Sequence, residues 1–261
     1  MTEKKWGRRA LVVPWVLGLW LVRVEPAHAE SHLVGSDYIS RPLVLPKGVL
    51  RVDGGPRRPY SEGQVMPAGQ LQVFVTPGQD FAVFSPGAGY GVIDNLELGA
   101  VWPLELSPDL DLLDLSVYGK YLLQRGTVEV AAYAELRIPV QNKLEIAGGV
   151  PVYVHLGPNL RLETGGFLRL VFGDDTNFVV DAPLSVPIQV SPQVFVGPEV
   201  GIEIVDFKTV AVPLGVIAGY TLGTGIGSIG DLFGRLTLAD IAHGTDLVRF
   251  DIGAELYFDL L

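Results

Sequence analysis

The stretch that decides the fold is 127-TVEVAAYAELRIPVQNKLEIAGGVPVYV-154. In its first twelve residues apolar and polar side chains alternate with a period of two, and the alternation resumes over 143–154 after a four-residue connection. The apolar face of the first half consists of Val128, Val130, Ala132, Ala134, Leu136 and Ile138. Successive side chains of a β-strand point to opposite faces, so this period predicts two consecutive strands, each with one face that avoids water.

The same pattern occupies most of the chain from residue 81 onward. Further alternating segments are predicted at 81–92, 96–106, 112–123, 160–171, 178–188, 193–204, 210–220, 232–240 and 248–258, with an early one at 48–53. Short turns rich in Asp, Asn, Gly and Pro separate them, and nothing between them has helical periodicity. We therefore expect an all-β protein of about twelve strands, an even number, as in single-chain bacterial barrels.

The N-terminus has the pattern of a secretory signal peptide. Four basic residues at positions 4, 5, 8 and 9 precede the apolar run 10–22, and Ala27-His28-Ala29 is a small-x-small cleavage site. We therefore expect residues 1–29 to be removed on export. Residues 30–80, interrupted by many prolines and glycines, are predicted to form an irregular N-terminal arm containing the first strand or strands, and 81–261 the barrel domain.

Charge and composition exclude several function classes. Without residues 1–29 the chain has 19 − 5 = 14 basic and 29 − 2 = 27 acidic side chains, a net charge of −13. This acidic balance argues against nucleic acid as a partner. The chain has no cysteine, so it has neither a disulfide framework nor a thiolate metal site.

Periodicity alone does not say whether the apolar face meets lipid or a soluble core. The alternating segments have about ten to twelve residues, which suits a tilted bilayer crossing better than the usual length of soluble strands. Lipid cannot satisfy an open sheet edge, so membrane strands must close into a barrel. We expect a transmembrane antiparallel up-and-down β-barrel, the alternative being a secreted soluble β protein that binds an apolar ligand.

The C-terminus carries a recognisable pattern. Asp251, Gly253, Leu256 and Phe258 fit the polar-x-Gly-x-x-apolar-x-apolar β-signal, although three residues follow the last aromatic. The chain thus resembles outer-membrane β-barrel proteins of Gram-negative bacteria at the level of architecture. The resemblance implies location in the outer membrane, contact with its lipid, and assembly partners: the barrel assembly machinery and periplasmic chaperones.

The polar faces of the predicted strands carry many charges. The residues predicted to face the lumen are Glu97, Glu105, Asp114, Lys120, Glu129, Glu135, Arg137, Lys143, Glu145, Arg161, Glu163, Arg169, Asp181, Glu199, Glu203, Arg249, Asp251 and Glu255. With Arg235, acids outnumber bases twelve to seven. In a water-filled lumen this excess favours cations. Alternatively, the charges pair across strands and close a structural interior.

A basic segment precedes the acidic strands. Residues 41–58 contain Arg41, Lys47, Arg51, Arg57 and Arg58 against a single acid, Asp53. A basic segment beside an acidic lumen suggests that it folds inward as a plug, in which case exchanging Arg57 and Arg58 for Glu should raise conductance.

No motif points to catalysis. The G-x-G-x-x-G at 225–230 has no helix after it and reads as a turn, and Asp174-Asp175 as a solvated turn. His32, His155 and His243 give only single-residue signals for hydrolysis. We predict no enzyme, cofactor or metal, and a passive, mildly cation-selective channel, with a non-conducting structural or adhesion barrel as the alternative.

Overall fold

The computed structural model describes residues 37–52, 70–75, 81–107, 110–140, 143–173, 176–223, 229–238, 240–242, 244 and 248–260. The predicted signal peptide, Arg57, Arg58, His32, His243, Asp174, Asp175, Gly225 and Gly227 lie outside this part of the chain. No helix among the described residues is long and apolar enough to cross a membrane.

The described residues form eighteen β-segments. In chain order these are β1 (Val49–Val52), β2 (Gln70–Val75), β3 (Phe81–Ser85), β4 (Gly87–Ile93), β5 (Leu96–Val101), β6 (Leu104–Ser107), β7 (Asp111–Leu112), β8 (Leu115–Gln124), β9 (Val128–Ile138), β10 (Glu145–Gly157), β11 (Leu160–Val171), β12 (Asn177–Ser185), β13 (Ile188–Gln189), β14 (Val194–Val205), β15 (Thr209–Ala211), β16 (Leu214–Leu222), β17 (Gly230–Leu238) and β18 (Val248–Asp259).

Six pairs of these segments each form one interrupted strand, which leaves twelve strands in the described chain. The pairs are β1 with β2, β3 with β4, β5 with β6, β7 with β8, β12 with β13, and β15 with β16. All pairings are antiparallel, and the last segment, β18, pairs with both β1 and β2, so the sheet closes on itself. The prediction of an all-β, antiparallel barrel of twelve strands is confirmed. Closure matters physically because it leaves no unpaired edge for lipid to solvate.

Prolines explain several of the breaks within strands. Pro86 separates β3 from β4, Pro103 separates β5 from β6, and Pro213 separates β15 from β16. Proline has no amide hydrogen, so it cannot donate to the ladder at these points. Inside β12, the hydroxyl of Thr164 on the neighbouring strand donates to the carbonyl oxygen of Pro183 at 2.8 Å, so this acceptor is satisfied where the ladder is interrupted.

The first strand is built from two pieces of the segment 30–80. Val52 of β1 is opposite Leu256, and Gln70 of β2 is opposite Gly253, so only two residues of β18 separate the two partners. β1 and β2 therefore lie nearly in line along β18. Residues 53–69, which connect the two, lie outside the described residues.

The outer surface of the barrel is apolar and bounded by aromatic rings. At the end where β18 finishes, called here the C-terminal rim (turns 94–95, 125–127 and 158–159), the exposed aromatics include Tyr90, Tyr121, Tyr220 and Phe258. Phe172, Phe207 and Phe250 are exposed toward the opposite rim. Phe250 and Phe258 are eight residues apart on β18, about 26 Å along a strand. At a strand tilt of about 40° this corresponds to roughly 20 Å along the barrel axis, which is comparable to the apolar band of about 25 Å that such girdles flank in outer-membrane barrels.

Candidate functional site: the barrel interior

Charged side chains fill the inner face of the barrel. Of the residues predicted to face the lumen, those buried in the structure are Glu97, Asp114, Lys120, Glu129, Glu135, Glu145, Arg161, Glu163, Arg169, Asp181, Glu199, Glu203, Arg249, Asp251 and Glu255. Glu105 and Arg137 are partly buried. Lys143 differs: it lies in the connection before β10 and is exposed, because β10 begins at Glu145.

These charges are arranged in ion pairs between strands that are adjacent or one strand apart. Arg235 on β17 binds Glu199 on β14 through two hydrogen bonds of 2.6 and 3.2 Å. On the other side of the barrel, Glu145 lies between two guanidinium groups, with N–O distances of 3.0 Å to Arg137 and 3.6 Å to Arg169. Buried charges survive only when they are paired and hydrogen-bonded, so these pairs stabilise the interior as it stands.

A piece of chain ahead of β1 lies inside the barrel. Residues 38–47, called here the internal segment, contact strands on opposite sides of the closed wall, and their side chains are largely buried. Since the contacted strands surround the lumen, the segment must lie within it. Only Lys47, next to the C-terminal rim, is exposed among its charged residues.

Five inward-pointing residues form a ring around the internal segment. Each is the second residue of a strand that starts at the C-terminal rim, on β5, β9, β11, β14 and β17. The five, called here the contact ring, are Glu97, Glu129, Arg161, Phe195 and Asp231. Their common position in the strands places them at one level of the barrel, near the C-terminal rim.

Most of the ring binds the main chain of the internal segment. The amide of Leu45 donates to Glu97 Oε2 at 3.1 Å, and the amide of Leu43 donates to Glu129 Oε2 at 2.7 Å. Arg161 Nη1 donates to the carbonyl oxygens of Ile39 and Arg41, both at 2.8 Å. An irregular segment inside a barrel has no ladder to join, so these side chains satisfy its backbone polar groups.

Lys120, which is opposite Glu97 in the pairing of β5 with β8, adds a further contact from the wall. Its Nζ donates to the carbonyl oxygen of Leu43 at 3.0 Å and lies 2.7 Å from Glu97 Oε2. Glu97 also accepts from Arg51 Nη2 at 2.8 Å and from the Tyr118 hydroxyl at 3.0 Å. The carboxylate of Glu97 therefore joins β1, β8 and the internal segment in one network.

The side chain of Arg41 is a buried anchor of the segment. Its guanidinium makes two hydrogen bonds to Asp231, Nε to Oδ2 at 3.0 Å and Nη2 to Oδ1 at 3.3 Å. The exposed fractions of the two side chains are 1% and 0%. Thr221 donates to the same carboxylate at 2.7 Å, and the Tyr257 ring centroid lies 4.7 Å from the guanidinium carbon. A guanidinium binds best to a carboxylate that accepts two hydrogen bonds and to the face of an aromatic ring, and this site provides both.

Apolar contacts complete the site that holds the internal segment, called here the seat: the contact ring, Lys120 and the wall residues that pack against the segment. The rings of Tyr38 and Phe195 stack with centroids 3.7 Å apart. Farther along the segment, Val44 packs in a cluster with Leu122 and Tyr153. Burial of these groups stabilises the segment inside the lumen in addition to its polar contacts.

Two glycines fit the segment to the wall. A Cβ at Gly91 would lie 1.8 Å from the carbonyl oxygen of Pro46, so only glycine lets the two backbones approach so closely. Gly48, at the junction with β1, has φ of +82°. Its amide donates to the Gly91 oxygen at 2.8 Å, and its own oxygen accepts from Leu260 at 3.0 Å. The junction is thus held to both neighbouring strands.

A small cavity of about 30 Å³ lies against the internal segment. That volume accommodates one or two water molecules. Its lining includes Arg41 and Leu45 of the segment and Lys120, Glu163 and Tyr257 of the wall.

Sequence reasoning missed some of these residues. The predicted strand 232–240 began one residue after Asp231, whereas β17 begins at Gly230. Gly91 and Phe195 carried no signal, since neither a strand glycine nor an inward aromatic reveals its partner without the register. Arg41 and Arg51 belong to the basic segment that the sequence predicts to fold inward, and both are buried in the interior.

Solved structures share the fold. No family model and no curated protein matches the chain. It is similar to an outer membrane channel from Pseudomonas putida F1, with 15% identity over 82% of this chain and 97% of that one, at a TM-score of 0.56. It is also similar to the NanC porin (10% identity, 72% and 99% covered, TM-score 0.56) and the KdgM porin (9%, 73% and 98%, TM-score 0.50). Identities this low establish the fold alone.

The closed barrel, its apolar belt and its charged interior define the class. The chain has the architecture of outer-membrane β-barrels, as the C-terminal pattern implied.

Proposed function

We propose that this protein is a passive outer-membrane channel for small polar solutes, without catalytic activity, whose lumen is occupied in this conformation by the internal segment. One observation carries the proposal: residues 38–47, which belong to no strand, lie inside the barrel and contact its opposite walls near the C-terminal rim. A barrel of about eight strands can be packed by its own side chains, whereas twelve strands enclose more space. When the internal segment leaves, a polar passage remains.

The charge of the interior supports a preference for cations. Among the described residues, twelve carboxylates are buried against seven Lys and Arg side chains. An excess of negative charge in a narrow passage raises the local cation concentration and opposes anions. The preference is expected to be mild, because many of the carboxylates are paired with guanidinium groups.

A non-conducting structural barrel is the second candidate. Its support is the burial of the inner-face charges, most of which are nearly inaccessible to water. In that case the ion pairs and the internal segment together form a permanent core.

Planar bilayer recordings distinguish the two. The processed wild-type protein and an Arg41→Glu variant would be reconstituted and recorded under a tenfold KCl gradient. We expect low conductance from the wild type, a larger conductance from Arg41→Glu, and a reversal potential on the cation-selective side. The control is Arg125→Glu, which makes the same change of charge at an exposed position on the C-terminal rim. Silence from all three proteins would refute the channel and favour the structural barrel.

A further inference from the structure

The seat of the internal segment has the chemistry of a peptide-binding site. Four of its side chains bind main-chain atoms: Glu97 and Glu129 accept from amides, and Arg161 and Lys120 donate to carbonyl oxygens. The backbone groups they bind belong to residues 39, 41, 43 and 45, every second position. Every peptide carries such amides and carbonyls, so these contacts do not depend on the side chains of the segment.

Side-chain selectivity is concentrated at one position. Asp231 accepts hydrogen bonds from two nitrogens of the Arg41 guanidinium, and the hydroxyl of Thr221 donates to the same carboxylate and orients it. The ring of Tyr257 covers the guanidinium carbon at 4.7 Å. A lysine ammonium is a compact point charge that cannot make the planar two-point contact. The pocket is therefore built for arginine in preference to lysine.

A second, weaker preference lies three residues before Arg41. Tyr38 stacks on Phe195, and the guanidinium of Arg161 lies 5.2 Å from the Tyr38 ring centroid. An aromatic side chain at this position gains both stacking and cation–π energy. The seat thus specifies aromatic-x-x-Arg within a short peptide main chain.

We propose that the contact ring, with Lys120, is a binding site for short arginine-containing peptides, which the internal segment occupies as a built-in ligand. The proposal rests on the channel function, because an external peptide reaches the seat through the lumen once the segment has left. The proposal makes short peptides a class of solute that the channel binds while they pass through the lumen.

The test uses the full processed chain carrying Arg41→Glu, in which the built-in ligand is weakened. A dye-labelled synthetic peptide with the sequence of residues 37–47 is titrated against this protein in detergent micelles, and binding is followed by fluorescence anisotropy. Matched peptides carry Lys or Glu in place of the arginine. We expect saturable binding of the Arg peptide, binding of the Lys peptide weaker by about tenfold, and no binding of the Glu peptide.

A second variant shows that the seat is responsible. In a protein carrying both Arg41→Glu and Asp231→Asn, we expect the preference for Arg over Lys to disappear. Heat-modifiable migration in gels verifies that each variant is a folded barrel. Absence of Arg-peptide binding to folded Arg41→Glu, or equal binding of all three peptides, would overturn the inference.

Bilayer recordings separate this result from the fate of the channel proposal. If Arg41→Glu conducts and the Arg peptide does not bind, the channel stands and the peptide site is refuted. If the peptide binds and no variant conducts, the site stands as a binding site and the channel is refuted. When both hold, the Arg peptide should reduce the Arg41→Glu conductance and the Glu peptide should not.

Discussion

Arg41 and Asp231 form a two-point ion pair inside the barrel although 190 residues separate them in the sequence. The pair ties the internal segment to the start of β17, which only β18 separates from β1, the strand that follows the segment. Exchanging the two charges, as Arg41→Asp with Asp231→Arg, should restore most of what either single change loses. Removing one partner of a buried pair costs roughly 3–5 kcal/mol because the other charge is left uncompensated.

Bilayer conductance and thermal midpoints in detergent measure this exchange. We expect Arg41→Asp and Asp231→Arg each to conduct more and unfold earlier than the wild type, and the double variant to return toward wild type in both. A double variant as open as the single ones would mean that the pair does not hold the segment.

Gly91 is a second position at which the internal segment can be displaced, because its backbone lies directly against the backbone of Pro46. A methyl group there would overlap the carbonyl oxygen of Pro46, whereas at Gly148 the nearest atom is the Tyr133 oxygen at 3.6 Å, an ordinary contact. Gly91→Ala should therefore displace the internal segment and raise conductance, while Gly148→Ala, also a strand glycine, should leave it unchanged. Equal conductance from the two alanine variants would contradict this placement of the segment.

The sequence predicts the strands well because the alternation of apolar and polar residues indicates both where a strand lies and which of its faces meets lipid. An apolar face that meets lipid cannot carry charge, so alternation persists along whole strands: the predicted 127–138 and 248–258 correspond to β9 (Val128–Ile138) and β18 (Val248–Asp259). The prediction is weaker where turn residues meet a strand end. Gly230 and Asp231 resemble a turn and Lys143 resembles a strand residue, and in both cases the strand starts elsewhere.

The contact ring could not be predicted in the same way. Its members share a position relative to the C-terminal rim, but they differ in type, since two are glutamates and the others are Arg161, Phe195 and Asp231. Which of the many inward residues bind the internal segment depends on the register of every intervening strand. The excess of basic residues in 41–58 indicates that the segment folds inward. It does not indicate which carboxylate each of these basic residues binds.

The apolar outer face predicts a depth-dependent cost for charge. Val150 is exposed and lies near the middle of β10, while Val140 is exposed in the connection after β9. Val150→Arg should destabilise the protein in lipid vesicles by about 2–4 kcal/mol, and Val140→Arg by about 1 kcal/mol or less, because an arginine at the bilayer centre is poorly solvated. Guanidinium-induced unfolding in vesicles measures both. Equal effects, or a wild-type protein that is soluble and monomeric without detergent, would mean that acyl chains do not cover this face.

The C-terminal pattern makes a separate prediction about assembly, which the barrel assembly machinery would mediate. Phe258 and Phe250 lie on the same face of β18 with exposed fractions of 45% and 44%, so they differ little in what they contribute to the folded barrel. Only Phe258 belongs to the proposed signal with Asp251, Gly253 and Leu256. Phe258→Ala should reduce the amount of folded protein in the outer membrane several-fold relative to Phe250→Ala, as measured by quantitative blots of heat-modifiable protein. In refolding from urea into detergent, where no machinery acts, the two variants should fold with similar yield. Similar losses in cells would show that the pattern has no role in recognition, and a loss confined to Phe258→Ala in both settings would assign that side chain to stability instead.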